Sequence, residues 1–282
     1  MLETSRMNPL DEKMQLLSGY LRQLGSALVC YSGGVDSAFV LAMAHRELGE
    51  RAVGLTAVSP SLPPGELAEA QSLARQIGAD HRVVSSNEMH DPRYVANAPD
   101  RCFYCKSELY DLAEKQRVAW GLAAVLNGTN SDDLGDYRPG LQAASNANVK
   151  SPLVDCGFNK AEVRAGSKLL DLPVWDKPAA ACLSSRIPYG TSVTHEKLTQ
   201  IGGLEADLKR LGFRQVRVRY HDKLARIELD LQDVARAVQP EVRESIVSLG
   251  KQHGFQYVTL DLGGYRMGSH NEVIVGKSLR VV

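Results

Sequence analysis

Between the apolar run Ala27-Leu28-Val29 and the helix-like stretch from Ala38 to Ala44 stand eight residues, Cys30-Tyr31-Ser32-Gly33-Gly34-Val35-Asp36-Ser37. Two adjacent glycines let a backbone turn sharply and approach a ligand closely. The first N–H groups of the following helix then face that ligand with the positive end of the helix dipole behind them. An anion, above all a phosphate, is the natural occupant. The segment is not a Walker A loop, because GxxxxGK[ST] is absent and no lysine follows to hold a γ-phosphate, and it does not match GxGxxG. A tight turn with a capping aspartate is the plainer alternative.

Thiols form the second group. Of the five cysteines, Cys102 and Cys105 make a CxxC pair and Cys182 stands in a loop rich in Ser, Pro and Arg. Thiolates are the ligands of iron–sulfur clusters, and CxxC lets one short turn supply two of them. The alternatives are a zinc site, a chance pair near a helix start, or a sacrificial Cys182; structural zinc takes four ligands, and no second Cys/His pair accompanies this one. Five unevenly spaced cysteines are too few for a disulfide framework in a chain of 282 residues, so reduced thiols are expected. Cys30 and Cys156 stand singly and are expected to be inert packing.

Polar residues make up the rest. Asn130, Asp132 and Asp133 follow the apolar run AAVLN, at the carboxyl edge where open parallel sheets bind ligands, or else form a simple polar turn. On the alternating stretch VRVRY, Arg217 and Arg219 share one face, which Arg226 and Glu228 of the return strand can join; the face is either a phosphate clamp or a solvated surface. Lys106, beside Cys105, can balance phosphate charge. Glu205 is a weaker candidate on a helix, and His195 and His221 have local roles at a helix start and a hairpin turn.

The elements that position these groups are legible as a pattern. From Ala27 to about Leu172 the runs ALVCY, AVGLTAV, HRVVSS, AAVLN and NVKSPLV alternate with helical stretches such as ELAEAQSLARQIG and SELYDLAEKQRVAWG, the signature of a parallel sheet flanked by helices. Gly49, Gly78 and Gly121 fall where helix C-caps belong, and Asn159 with Glu162 forms a capping box. From Pro173 to Thr194 three prolines and no clean period mark a structured loop. A helix, a hairpin turning at HDK, a second helix and a strand follow, a compact α+β unit. The expected organisation is an α/β domain over 1–174, an active-site loop over 175–194 and a smaller C-terminal α+β domain over 195–282.

Lys plus Arg and Asp plus Glu number 33 each, so no global field draws the chain to nucleic acid or to an anionic membrane. No apolar run reaches the length of a membrane span, and residues 1–10 lack the charged-then-apolar order of a secretory signal. A cytoplasmic protein is expected.

Ser32, Gly33, Gly34, Asp36 and Ser37 complete the motif SGGxDS, the pyrophosphate loop of ATP pyrophosphatases, whose fold is Rossmann-like (the HUP, or adenine nucleotide alpha hydrolase-like, class). With RCFYCK at 101–106, GTNSDDLGDYRPG at 128–140, WDKPAAACLSSRIPYG at 175–190 and VRVRY at 216–220, nearly the whole chain resembles the LarE family. These are ATP-dependent sulfur insertases that build the nickel-pincer nucleotide cofactor of lactate racemase. The resemblance implies cleavage of ATP between its α and β phosphates, with pyridinium-3,5-biscarboxylic acid mononucleotide as substrate: each carboxylate is adenylated, attacked by sulfur and released as a thiocarboxylate.

By the same resemblance Ser32, Gly33, Gly34 and Ser37 cradle the pyrophosphate, Asp36 helps place Mg²⁺, and the strand carrying Thr56 borders adenine. Asp132 and Arg138 line the cleft, Ser185 and Arg186 contact substrate or nucleotide, and Arg217 and Arg219 hold the substrate's phosphate. One branch of the family sacrifices a cysteine; a second carries three that hold a [4Fe-4S] cluster, and Cys102, Cys105 and Cys182 match the second. A sulfide donor, the other enzymes of the cofactor's synthesis and a homohexamer are the implied partners. A tRNA thiolase of the same superfamily fits the balanced charge less well, and an ATP-sensing domain is the non-enzyme alternative.

Overall fold

The computed structural model describes residues 8–135, 139–178 and 181–266. It divides into two compact units: Met1–Val58, Glu66–Glu88 and Cys102–Ala180 form the first, and Ser59–Gly65, Met89–Arg101 and Ala181–Val282 the second.

In the first unit, strands β1 (Ala27–Cys30), β2 (Ala52–Val58), β3 (Asp80–Ser85) and β4 (Ala124–Leu126) lie in the order β3-β2-β1-β4, all parallel. Parallel strands covered on both faces read as continuous apolar runs. Ala27, Leu28 and Val29 of β1 are accordingly fully buried. The edge strand β3 carries charged and polar side chains, several exposed, which discourages pairing with another chain. The expected fifth strand does not form: NVKSPLV contributes one bridge, Lys150 to Leu126, and then turns helical at Pro152–Asp155, where proline cannot donate to a ladder.

The connections from β1 and β4 place the sheet's reversal of strand order between these two strands. A crevice at their carboxyl ends is where such sheets receive ligands. The helix Val35–Leu48, which starts straight after β1, is the core of the unit: nine of its fourteen residues are buried, including Phe39, Leu41 and Met43. Gly166 of the helix Lys160–Leu169 leaves room for the Phe39 ring, since a methyl there would come 2.7 Å from it. Gly49, Gly78 and Gly121 take positive φ just beyond helices, as expected of C-caps. The capping box is present, with the Asn159 side chain accepting from the Glu162 N–H and the Glu162 carboxylate from the Asn159 N–H.

In the second unit, β5 (Val216–His221) and β6 (Leu224–Leu229) form the hairpin, turning where Asp222 has φ 55°, and β7 (Tyr257–Leu260) adds parallel to β6. The helices Leu231–Ala237 and Pro240–Gln252 make the crossover. The helix His195–Arg210 turns Leu198, Ile201, Leu204, Glu205 and Leu208 inward. Among the described residues no helix is long and apolar enough to cross a membrane.

Candidate functional site

The turn after β1 has the shape its glycines dictate. Gly33 takes φ 74°, and a methyl there would lie 2.8 Å from the Ala70 Cβ, so both conformation and space require glycine. Gly34 caps the helix in an extended conformation and contributes no side chain to its first N–H groups. Ser32 and Ser37 close the loop: the Ser32 N–H donates to Ser37 Oγ at 3.1 Å, the two hydroxyls are 3.1 Å apart, and the Ser37 hydroxyl donates to the Gly34 carbonyl at 3.2 Å. The turn thus sits at the N-terminus of a helix, a setting that suits an anion.

The segment after β4 crosses the same helix start. Gly128 packs so closely that a methyl would come 2.7 Å from the Ser37 nitrogen. Asn130, which is buried, donates from Nδ2 to Asp36 Oδ1 at 3.0 Å. Its own Oδ1 accepts from the Asp132 N–H, and Asp133 Oδ2 accepts from the Asn130 N–H. Asp132 is exposed, and its Oδ2 accepts the backbone N–H of Lys160 at 3.0 Å. The Lys160 ammonium in turn reaches Asp36 Oδ2 at 2.5 Å. The fold thus gathers Ser32, Ser37, Asp36, Asn130 and Asp132 and adds a cation from far along the chain. Nothing near Lys160 in sequence announces this beyond its place at the head of a capped helix.

Thr56 is buried near the end of β2. Its hydroxyl donates to the Tyr31 carbonyl at 2.6 Å and lies 2.8 Å from His81 Nε2, so its side chain braces the turn. Arg138 lies outside the described residues.

Cys102 and Cys105 occupy the start of the helix Arg101–Ala119, one turn apart on one face, the first exposed and the second half-buried. The neighbouring Lys106 is exposed. Burial pushes the Cys30 thiol up to about 12, although Lys106 opposes this, and burial followed by Asp155 also raises Cys156. Raised thiols are poor nucleophiles and ligands, in keeping with packing roles. Among the described residues no group of three or more His, Cys, Asp or Glu is gathered as a metal site. The donors nonetheless suit an iron–sulfur cluster in kind, being thiols with two on one helical turn.

In the second unit, half-buried Cys182 precedes the short 3₁₀ turn Leu183–Arg186. Its carbonyl accepts from the Ser185 hydroxyl at 2.8 Å and from Arg186 Nη1 at 2.9 Å. Arg186 also donates to the Ala181 carbonyl and, through Nε and Nη2, to both oxygens of Glu205 at 2.8 and 3.0 Å. Arg186 is 2 % exposed and Glu205 3 %, so this pair is internal. Arg186 therefore positions the Cys182 loop.

The sheet face carrying Arg217 and Arg219 is buried, not solvated. Arg219 is held bidentate by Glu228 at 2.9 and 2.8 Å and donates to the Ser185 carbonyl at 2.9 Å. Arg226 pairs with Asp261 and Glu228. Arg217 donates to the Val216 carbonyl and stacks 5.1 Å from the Tyr265 ring; burial, and then repulsion from Arg186, depress its pKa despite Glu205 and Tyr265. An incoming anion would relieve that repulsion. His221 is held below the usual histidine range by burial and by Arg226 and Arg219.

Three further residues of this unit carry no signal in the sequence. Asn97 is fully buried at φ 54° and donates to the carbonyls of Ile187, Pro188 and Thr191. Arg101 donates to Asn97 Oδ1 at 2.6 Å and to the Ser184 carbonyl at 2.8 Å, and Tyr94 meets the Ser184 hydroxyl. Together they fix the segment that carries Cys182, Ser185 and Arg186.

The asparagine synthase family model matches residues 20–194. A pyridinium-3,5-bisthiocarboxylic acid mononucleotide synthase of Lactiplantibacillus plantarum is 38 % identical over 97 % of this chain and 99 % of its own length. An uncharacterised protein of Synechocystis, slr1717, is 49 % identical over 94 % of this chain and 99 % of its own. A more distant protein of Methanocaldococcus jannaschii, MJ0830, is 28 % identical over 85 % and 90 % of the two chains. With a pyrophosphate loop folded as its motif requires and a relative of that name aligned almost end to end, the chain belongs to the LarE family of the pyrophosphate-loop superfamily.

Proposed function

We propose that this enzyme converts pyridinium-3,5-biscarboxylic acid mononucleotide to its bis-thiocarboxylate in two rounds of ATP-dependent sulfur transfer. The observation that supports it most is the cradle at Ser32–Ser37 with Asp36 and Lys160 beside it, in a chain aligned along nearly its whole length with a synthase of that product. A carboxylate resists nucleophilic attack because of its charge. Its oxygen attacks the α-phosphorus of ATP, the bond to the β-phosphate oxygen breaks, and pyrophosphate departs into the cradle, where helix N–H groups and a cation stabilise it. A sulfur nucleophile then attacks the acyl carbon of the adenylate, and AMP leaves with the electron pair of the C–O bond.

Asp36 is the carboxylate that would hold Mg²⁺, and Cys102, Cys105 and Cys182 are the thiolates that would hold a [4Fe-4S] cluster. When bound, that cluster supplies a metal site at which hydrosulfide is deprotonated and nucleophilic. Arg186, fixed by Glu205, orders the Cys182 backbone. Arg217 and Arg219 offer buried positive charge to the substrate's phosphate. The C-terminal α+β domain binds substrate and builds the homohexamer, and the product passes to the other enzymes of nickel-pincer synthesis. The test is incubation with ATP, Mg²⁺ and the dicarboxylate nucleotide: pyrophosphate and AMP are expected in equal amounts, whereas a nucleotide sensor releases neither.

A further inference from the structure

We propose that His81 is a positioning residue of the pyrophosphate turn, acting through Thr56 to fix the peptide between Tyr31 and Ser32. This role rests on the ATP-cleaving function above, whose turn it serves.

The chain of β1 leaves the sheet at Tyr31. The Tyr31 N–H still donates to the Leu55 carbonyl at 2.8 Å, but its own carbonyl accepts from a side chain, the Thr56 hydroxyl, at 2.6 Å. A carbonyl cannot donate, so the single hydroxyl proton of Thr56 lies on that contact. Thr56 Oγ1 therefore meets His81 Nε2, 2.8 Å away, as an acceptor, and Nε2 is the ring nitrogen that carries hydrogen. Burial holds His81 below the usual histidine range although Asp80 opposes it, so the ring is neutral and Nδ1 carries no proton. At the other end of the same peptide the Ser32 N–H donates to Ser37 Oγ at 3.1 Å, and the Ser37 hydroxyl donates on to the Gly34 carbonyl at 3.2 Å. Every bond in this series points the same way, from the edge strand β3 into the turn, and bonds so aligned polarise one another.

The imidazole is itself held in place. It meets the Tyr31 ring nearly at right angles with centroids 5.2 Å apart, and the Tyr31 hydroxyl donates to the Ala70 carbonyl at 3.0 Å. Ala70 is also the residue packed against Gly33. A threonine hydroxyl rotates to suit its surroundings. The imidazole N–H removes that freedom, leaving the Thr56 proton the Tyr31 carbonyl. A side chain that only filled space would need no nitrogen at this point.

The experiment has two arms. In the first, α,β-methylene-ATP and AMP are titrated calorimetrically into the wild-type protein, His81→Leu, His81→Gln, Thr56→Val and the double variant of His81→Leu with Thr56→Val, with a thermal melt of each. His81→Leu is expected to weaken the analogue about 3- to 10-fold, the loss of one neutral hydrogen bond, and AMP less than about twofold, because AMP brings no pyrophosphate to the turn. His81→Gln, which keeps an N–H donor, holds the analogue's affinity within about twofold. Once Thr56 is valine, the leucine change is expected to cost nothing further, since its route to the turn is gone. In the second arm, long-range proton–nitrogen correlation spectra of the wild-type protein at neutral pH are expected to show His81 as the Nε2–H tautomer, a reading that stands should the leucine variant fail to fold. Unaltered analogue binding in His81→Leu, equal losses for analogue and AMP, an undiminished loss on the valine background, or a ring protonated on Nδ1 overturns the role. A wild-type protein that binds no analogue at all overturns the ATP-cleaving function instead, and the role with it.

Discussion

Replacing Glu205 with alanine is expected to destabilise the protein by about 3–5 kcal/mol and to abolish sulfur transfer, because it strands a buried guanidinium. Arg186 loses both of its bonds to carboxylate oxygens, and the Val218 N–H, which Glu205 Oε1 accepts at 2.9 Å, loses its acceptor too. The damage then reaches the Ala181 and Cys182 carbonyls that Arg186 holds. Urea denaturation read by circular dichroism measures the stability. Glu205→Gln, which keeps an acceptor but not the charge, should fall between wild type and alanine. A change below about 1 kcal/mol would place Glu205 among ordinary surface residues.

The second large effect concerns the thiols. Cys102→Ala is expected to remove the iron-dependent absorbance of protein purified without oxygen. It should also lower thiocarboxylate formation at least ~100-fold, since even residues that only support a metal ligand cost 10- to 100-fold. Pyrophosphate release should persist, because Cys102 is not among the residues that form the cradle. A colourless variant with unchanged sulfur transfer would remove the cluster from the account and return attention to Cys182 alone.

Much of this was legible in the residues. SGGVDS specified its own geometry, since two glycines and two serines leave few ways to join a buried strand to a helix, and Gly33 adopts the positive φ this requires. The alternation of apolar runs and helical stretches gave the parallel sheet, and strict alternation around HDK gave the hairpin. The failures have physical causes. Lys160 is 124 residues from Asp36, and only tertiary folding joins them.

Glu205 is only a weaker candidate in the sequence because acids on helices are usually exposed. Yet it falls on the same helical stripe as Leu198, Ile201 and Leu208, and an acid on an apolar stripe signals a buried partner. The alternation of VRVRY correctly put two arginines on one face but could not say that this face was covered. Burial there depends on Glu228, Asp261 and the Cys182 loop, which are remote in sequence. NVKSPLV does not extend as a strand because Pro152 has no N–H to donate to a ladder, and the chain turns helical there despite the flanking valines.

The most direct test supplies protein purified without oxygen with ATP, Mg²⁺, the dicarboxylate nucleotide and isotopically labelled sulfide, then follows nucleotides and substrate by mass spectrometry. The account predicts one AMP and one pyrophosphate for every labelled sulfur inserted, with Cys182 left intact over repeated turnovers. Nucleotide recovered as ATP, or as ADP and phosphate, while sulfur is inserted would contradict it.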